Sequence, residues 1–511
     1  MTARTLNEGR PRVAVVGAGV SGINMALVLK DKMKYDNFVI IEKCDAIGGT
    51  WRDNVYPGCG SDVPGHFYSL STELNPDWGS YYVTQPEILS YWKNIWAKHH
   101  LTDYTWFNTE VLSVEWSADR HAYRMRYRDT KTDEHKETWV EVVIGAAGPF
   151  PSALIPADLK GVENFKGPSW HSLSWRNDVD LGGKRVGVIG NGCSACQLIP
   201  QISEDPSVEV VNFCRTPSWF APREQFKYPR WVKWAFRNVP GVMRVYRTLM
   251  MVSREIVYYG FVKDSLFMRK VILSVLTKYL KRTAPKEYHD KLIPSYPPGC
   301  KRIIVDPGYL EALYRPNVSL EWTGIEEVLE DGVRLKSGTF VPLDIIIFGT
   351  GFEILNRNMP IFGINGKSLM EYFDDKGGPH AYLGTAYPDF PNFFTLVGPN
   401  VATGHSSVLF AAETQAHYIA RILSHTVLSP GSGGAQSVAP KASATDAHNA
   451  WVEKRLENTV WTECLSYYRR VDRDGKGAGR NAAIFPGTMI KFWSMMRKVR
   501  WADWNVERSE K

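Results

Sequence analysis

The sequence predicts an α/β fold: two parallel-sheet units, with a helical insert in the second. Two observations predict it. The first is a pseudo-repeat. Residues 12–22 read Arg-Val-Ala-Val-Val-Gly-Ala-Gly-Val-Ser-Gly, and residues 185–195 read Arg-Val-Gly-Val-Ile-Gly-Asn-Gly-Cys-Ser-Ala. The second is size and balance. The 511 residues allow about three domains at roughly 150 residues each. The chain is 44% hydrophobic and 23% charged, ordinary globular proportions that exclude disordered, collagen-like and disulfide-scaffold classes.

Each copy opens with a β-branched run that reads as a buried strand. Gly-x-Gly-x-x-Gly/Ala follows, and then a helical pattern, apolar over Met25–Leu29 in the first copy and over Cys196–Ile202 in the second. Gly17 and Gly190 allow the tight strand-to-helix turn. Gly19 and Gly192 let the backbone approach a pyrophosphate, and Gly22 and Ala195 let the helix pack on its strand. The pyrophosphate is expected at the helix N-terminus, where backbone N–H groups lack partners. Ser194 is placed among these binding residues. One such motif is weak, but two in strand–turn–helix context point to two Rossmann-like dinucleotide-binding domains.

The end of the next strand distinguishes the two ligands. Phe38–Glu42 ends in an acid 20 residues past Gly22, and Val208–Arg215 ends in a base 20 residues past Ala195. Glu42 suits ribose hydroxyls. Arg215 suits a 2′-phosphate, as in NADP, because guanidinium makes paired charge-assisted bonds to phosphate. Residues 1–148 are expected to form the first part of the first dinucleotide-binding domain. Residues 149–336 are expected to form the NADP domain, with a helical insert at 223–297. Residues 337–511 are expected to return to the first domain, beginning with a strand over Val341–Phe348. Ser429–Thr445, rich in small residues, reads as a surface loop, and Arg473–Asn481 as a second loop.

The net charge of +7 is uneven. Residues 223–286 hold 15 Lys/Arg, 3 Asp/Glu and 11 aromatics. This stretch is therefore +12 and the rest of the chain −5. Its apolar positions (Trp231, Trp234, Val242, Val245, Leu249, Val252) have helical spacing, with a break at Pro240-Gly241. A basic amphipathic segment of this kind suits peripheral contact with an anionic membrane. Nucleic-acid binding is not expected. No apolar run approaches the roughly 20 residues of a membrane span. The polar residues 1–12 contain no signal-peptide core, and the seven cysteines are scattered. A reduced, cytoplasmic protein is expected, with the basic segment as its membrane-peripheral element. Cys193-Ser-Ala-Cys196 lies inside the second glycine motif, where a redox disulfide would crowd the pyrophosphate. No second Cys/His pair has zinc spacing, so no metal is expected.

Between the glycine motifs stands Phe165-Lys-Gly167-Pro-Ser-Trp-His171-Ser-Leu-Ser-Trp175. This FxGxxxHxxxW run resembles the fingerprint of the Baeyer–Villiger monooxygenases, the FAD- and NADPH-dependent class B flavoprotein monooxygenases. N- and S-oxygenating relatives usually end the pattern in Tyr or Phe. Gly48-Gly-Thr50-Trp51, Tyr56-Pro-Gly58, Asp62, Tyr68-Ser-Leu-Ser71, Lys301-Arg302, Phe390-Pro-Asn392 and Gly398-Pro-Asn400 extend the resemblance over nearly the whole chain. Two positions depart from the family pattern. Arg176 stands where Pro or Asp is common, and Tyr467 stands where many relatives have Trp.

The resemblance implies that NADPH reduces FAD. O2 then gives a C4a-peroxyflavin, which inserts one oxygen atom beside a ketone carbonyl to form an ester or lactone. It implies Arg302 as the catalytic cation, with Asp62 as the acid that orients it. Thr50, Trp51, Asp62, Tyr68 and Val111 would contact flavin. Lys301 and Thr216 would help Arg215 hold the NADP phosphate, Tyr467 would face the nicotinamide nucleotide, and the basic helices would form a lid over the substrate tunnel. His171 is read as a linker residue that couples cofactor position to domain motion, rather than as a general base. The competing functions are an N- or S-oxygenating flavin monooxygenase, a disulfide reductase and a non-catalytic NADP-binding sensor.

Overall fold

The computed structural model describes residues 11–148, 152–353, 359–429, 434–466, 468–471 and 478–508. Two five-stranded sheets organise it. In the first, Val13–Val16 lies parallel between Phe38–Ile41 and Val142–Gly145, with Phe393–Thr395 at one edge and Thr105–Trp106 at the other. In the second, Arg185–Ile189 lies parallel between Glu209–Phe213 and Ile345–Phe348, with Val318–Glu321 and Ser169–His171 at the edges. The central strands are buried on both faces, which explains their unbroken β-branched runs. The fold is α/β, with two Rossmann-like units.

Each glycine turn leads directly into a helix, Val20–Leu27 in the first unit and Cys193–Ile202 in the second. Gly17 and Gly190 have φ of 112° and 111°, which L side chains avoid. A Cβ on Gly22 would fall 1.8 Å from the Gly17 carbonyl oxygen, whereas one on Gly192 would meet nothing within 4 Å. Gly22→Ala is therefore expected to cost about 1–3 kcal/mol through overpacking. Gly192→Ala, at a φ of −79°, should stay within about 1 kcal/mol. Thermal unfolding followed by circular dichroism checks the contrast, and equal midpoints would contradict it.

The pseudo-repeat extends beyond the glycine turns. In the first unit an antiparallel meander (Thr109–Ser117, Ala122–Asp129, His135–Val140) precedes Val142–Gly145. In the second a smaller meander (Ile325–Leu329, Gly332–Leu335, Phe340–Pro342) precedes Ile345–Phe348. This corrects the strand expected over Val341–Phe348. Ile345–Phe348 does not return to the first unit. It pairs with Arg185–Ile189, because that buried strand needs a neighbour on this side, as Val13–Val16 has in Val142–Gly145. The return comes afterwards. Phe352–Glu353 runs antiparallel to the outgoing Ser152–Ala153, and Phe393–Thr395 then joins the first sheet.

Two further expectations change. Ser429–Thr445 is not a loop throughout. Its Ala435–Pro440 stretch pairs with Trp504–Arg508, and a helix begins at Ala442. Small residues suit this close pairing as well as they suit a loop. Most of Arg473–Asn481 lies outside the described residues, though Ala478–Asn481 pairs with Arg469–Val471. The insert is helical as expected, with helices Arg230–Asn238, Val242–Val257 and Leu266–Thr283. The break falls at Val239–Gly241, where Pro240 removes a backbone donor. Among the described residues, no helix is long and apolar enough to cross a membrane.

Candidate active site

The loop that follows the Thr50–Asp53 helical turn docks onto the start of the second glycine helix. Tyr56 donates its hydroxyl hydrogen to Gln197 Oε1 at 2.9 Å, and Gln197 Nε2 donates to the Gly60 carbonyl at 3.0 Å. A Cβ on Gly58 would lie 2.3 Å from the Gln197 carbonyl oxygen, so only glycine permits this approach. The docking carries Asp62 into the seam between the two units.

Arg302 reaches Asp62 from the second unit. It immediately precedes Ile303 and the short strand Ile304–Val305, which pairs with Phe220–Ala221. Its Nε donates to Asp62 Oδ2 at 3.1 Å, its Nη2 donates to the same oxygen, and its Nη1 lies 3.5 Å from the Thr403 carbonyl. The side chains are 23% and 27% exposed. This leaves a permanent, oriented cation partly exposed at the seam instead of buried in the core. Cys193 abuts the pair, and burial pushes its thiol up to about 11. Cys193 and Cys196 are both free thiols. A protonated thiol is a poor nucleophile, which does not favour redox work.

The flavin-side residues expected from the sequence cluster at the first glycine turn. Gly49 approaches Gly19 closely, since a Cβ on Gly49 would lie 3.1 Å from the Gly19 Cα. Glu42 ends its strand as expected, but its carboxylate binds protein donors. It accepts from the Ala18 N–H (2.9 Å), the Cys44 N–H (3.0 Å) and Arg52 Nη1 (3.1 Å). It therefore also shapes the turn. Trp51 Nε1 donates to the Tyr68 hydroxyl at 3.1 Å, and burial raises the Tyr68 phenol to about 12. Val111 is buried in the core beneath the first sheet.

At the second glycine turn, Asn191 Nδ2 donates to the Thr216 carbonyl at 2.7 Å. The Arg215 side chain is 83% exposed, with Asp158 3.8 Å away. Burial first, and then the Arg215 charge, lower the Lys301 pKa. Two cations thus share one region beside the glycine turn, which creates a demand for an anion. Ser194 lies 3.3 Å from the Tyr56 hydroxyl. Tyr467 lies outside the described residues.

The fingerprint segment lies at the crossing between the units. His171 is buried, accepts the Leu173 N–H through Nδ1 at 3.1 Å, and meets the Phe352 ring edge-on at 5.6 Å. Burial lowers its pKa, so it is neutral near pH 7. Gly167 has no room for a side chain, since its Cβ would lie 2.4 Å from the Asp344 carbonyl oxygen. Phe165 packs on the core of the second sheet, and Trp175 packs edge-on to Trp170 at 5.6 Å. Arg176 pairs with Asp178 on the surface.

Sequence reasoning missed several partners. Thr403 and Gln197 carry no motif signal. Cys300 and Cys464 form a disulfide, which corrects the expectation of seven reduced cysteines. The two are 164 residues apart, and no spacing rule in one sequence joins them. The bridge ties the segment leading into Lys301-Arg302 to the segment leading into Tyr467.

Comparison with known proteins gives the same assignment. The flavin-binding monooxygenase-like family matches residues 10–426. A Baeyer-Villiger monooxygenase of Streptomyces coelicolor is 34% identical, covering 97% of this chain and 93% of its own. One from Pseudomonas aeruginosa is 33% identical, covering 95% and 90%. OTEMO, solved in complex with FAD and NADP, superposes with a TM-score of 0.83 at 25% identity, covering 97% and 99%. A closed cyclohexanone monooxygenase shares the fold, with a TM-score of 0.84 at 24% identity and the same coverage. With its two glycine turns, its fingerprint and a family match over most of its length, the chain belongs to the flavin-binding monooxygenase-like family.

Proposed function

We infer that this protein is an FAD- and NADPH-dependent Baeyer–Villiger monooxygenase that converts a small-molecule ketone into an ester or lactone. The observation that carries this reading is the Arg302–Asp62 pair, held between two dinucleotide turns on a chain bearing the FxGxxxHxxxW fingerprint. The turns fit the cofactors. Gly192 is open where a pyrophosphate would pass, Gly19 and Gly49 bring bare backbone together, and Arg215 with Lys301 offers two cations to a 2′-phosphate. The sheet around Val13–Val16 would hold FAD, and the sheet around Arg185–Ile189 would hold NADP. Bound FAD, reduced by NADPH, supplies the activation of O2.

The chain supplies position and charge. Arg302 faces the seam and stabilises negative charge that develops on oxygen. It cannot give up its own proton at working pH, whereas a lysine could. Asp62 fixes the guanidinium plane through Nε and Nη2. The fingerprint segment, packed against the return crossing at Phe352, links the attitude of the NADP unit to that of the FAD unit. Trp175 and the Lys301-Arg302 pair favour ketone oxidation over N- or S-oxygenation.

A panel of ketones, amines and sulfides incubated with NADPH and O2, with product mass analysis, tests the reading. Esters or lactones are expected, and N-oxides or sulfoxides alone would replace it. Arg215→Ala should raise KM for NADPH by about tenfold or more, since a hydrogen bond to a charged group contributes about 1.5–3 kcal/mol. KM for NADH should barely change. Equal shifts for the two cofactors would show that Arg215 does not read the phosphate.

A further inference from the structure

The insert carries an apolar face that the enzymatic reading leaves unused. On the Val242–Val257 helix, Val242, Val245, Leu249, Val252 and Ile256 recur at alternating steps of three and four, which places them in one stripe. They are 37%, 60%, 62%, 42% and 53% exposed. On the neighbouring Arg230–Asn238 helix, Trp231 and Trp234 are 72% and 60% exposed. Large apolar side chains left in water together mark an interaction surface.

The opposite faces of both helices show which way this surface looks. Phe236 and Tyr246 lie 5.2 Å apart, and each packs edge-on against His66, at 4.7 and 5.5 Å. Arg247 pairs with Glu413 of the first unit. The inner faces are thus committed to the body, and the stripe and the two tryptophans point away from it. The two helices carry six Lys/Arg and one acid, Glu255, which is buried; Arg237 and Arg247 are paired with Asp77 and Glu413 of the body, which leaves Arg230, Lys233, Arg244 and Arg254 as the basic residues of this pair of helices outside those ion pairs.

We propose that this face rests on an anionic lipid bilayer. The aliphatic stripe and the indole rings enter the boundary between headgroups and acyl chains, and the flanking basic groups outside the Arg237–Asp77 and Arg247–Glu413 pairs meet lipid phosphates. Charge selects this occupant over a second copy of the chain. Apposing two copies would press one net-positive face against another, which disfavours association, whereas an anionic bilayer complements it. Among the described residues no helix can span a bilayer, so the contact is peripheral. The proposal is independent of the enzymatic reading and is tested without substrate.

The test is co-sedimentation of the full chain with two kinds of vesicle, equimolar phosphatidylglycerol and phosphatidylcholine, and phosphatidylcholine alone. Light scattering of the protein without lipid accompanies it. Binding to the anionic vesicles alone is expected, lost at high salt. Leu249→Glu and, separately, Trp234→Glu should each weaken it by about tenfold or more, given the transfer energy of one large apolar side chain. Both sites are exposed, so the thermal midpoint should not move. Failure to bind anionic vesicles at low salt, or unchanged binding by both variants, would overturn the proposal. A lipid-free dimer that Leu249→Glu dissociates would assign the face to a second copy.

Discussion

Arg302→Ala should leave NADPH-driven flavin reduction nearly intact and lower ester formation by about 10²–10³-fold or more. A preorganised donor aimed at developing negative charge contributes about 3–4 kcal/mol in a water-poor site. The guanidinium is only 23% exposed and two of its nitrogens are spent on Asp62, so its orientation is already fixed before substrate enters. Truncation removes the cation and also leaves the Asp62 carboxylate facing the same space, adding repulsion where negative charge must grow. Arg302→Lys should retain part of the activity, because charge persists while the planar fork is lost. Anaerobic stopped-flow bleaching of the flavin, paired with ester quantitation under O2, separates the two halves of the reaction. A wild-type ester yield from Arg302→Ala would remove the residue from its assigned role.

The parts of this molecule legible in its sequence are those where local chemistry decides. Gly17, Gly22 and Gly190 are dictated by backbone geometry within a single strand–turn–helix unit. Arg215 and Glu42 follow from the length of that unit. The Arg302–Asp62 pair is different. It joins residues 240 apart in the chain, and only family resemblance suggested it. Ile345–Phe348 shows how the sequence can mislead. A buried parallel strand has no polar alternation to say which sheet it enters, and its affiliation is set by the meander before it. The repeat in fact contained the answer, since a meander followed by a short apolar strand occurs in both units. The Cys300–Cys464 bridge and the Thr403 carbonyl depend on tertiary approach alone.

The stripe at Val242, Val245, Leu249, Val252 and Ile256 also has helical spacing, which ordinarily indicates a face turned to the core. The structure turns it outward, because the inner face of that helix is claimed by a charge. Arg247, 11% exposed, donates to the Ser69 carbonyl at 3.1 Å and to Glu413 Oε2 at 3.3 Å, and it lies over the Phe67 ring at 5.7 Å. Glu413, 8% exposed, accepts from both the backbone N–H and the hydroxyl of Ser71, at 2.7 and 2.8 Å.

Breaking such a buried pair from one side strands the other charge, at a cost of about 3–5 kcal/mol. Arg247→Met should therefore loosen the insert from the first unit. Two hydrogen bonds from Ser71 still serve Glu413 in that variant, so the loss should fall at the lower end of the range. Glu413→Leu should be worse, because it leaves a guanidinium with only one carbonyl partner. The double variant should recover much of the loss, since paired apolar replacements remove both buried charges at once. Limited trypsin digestion, which cuts at the exposed Lys/Arg of the insert, reports the loosening, and urea midpoints give its size. Additive single-variant losses would mean that Arg247 and Glu413 act separately and that the helix is held outward by its aromatic contacts with His66 instead.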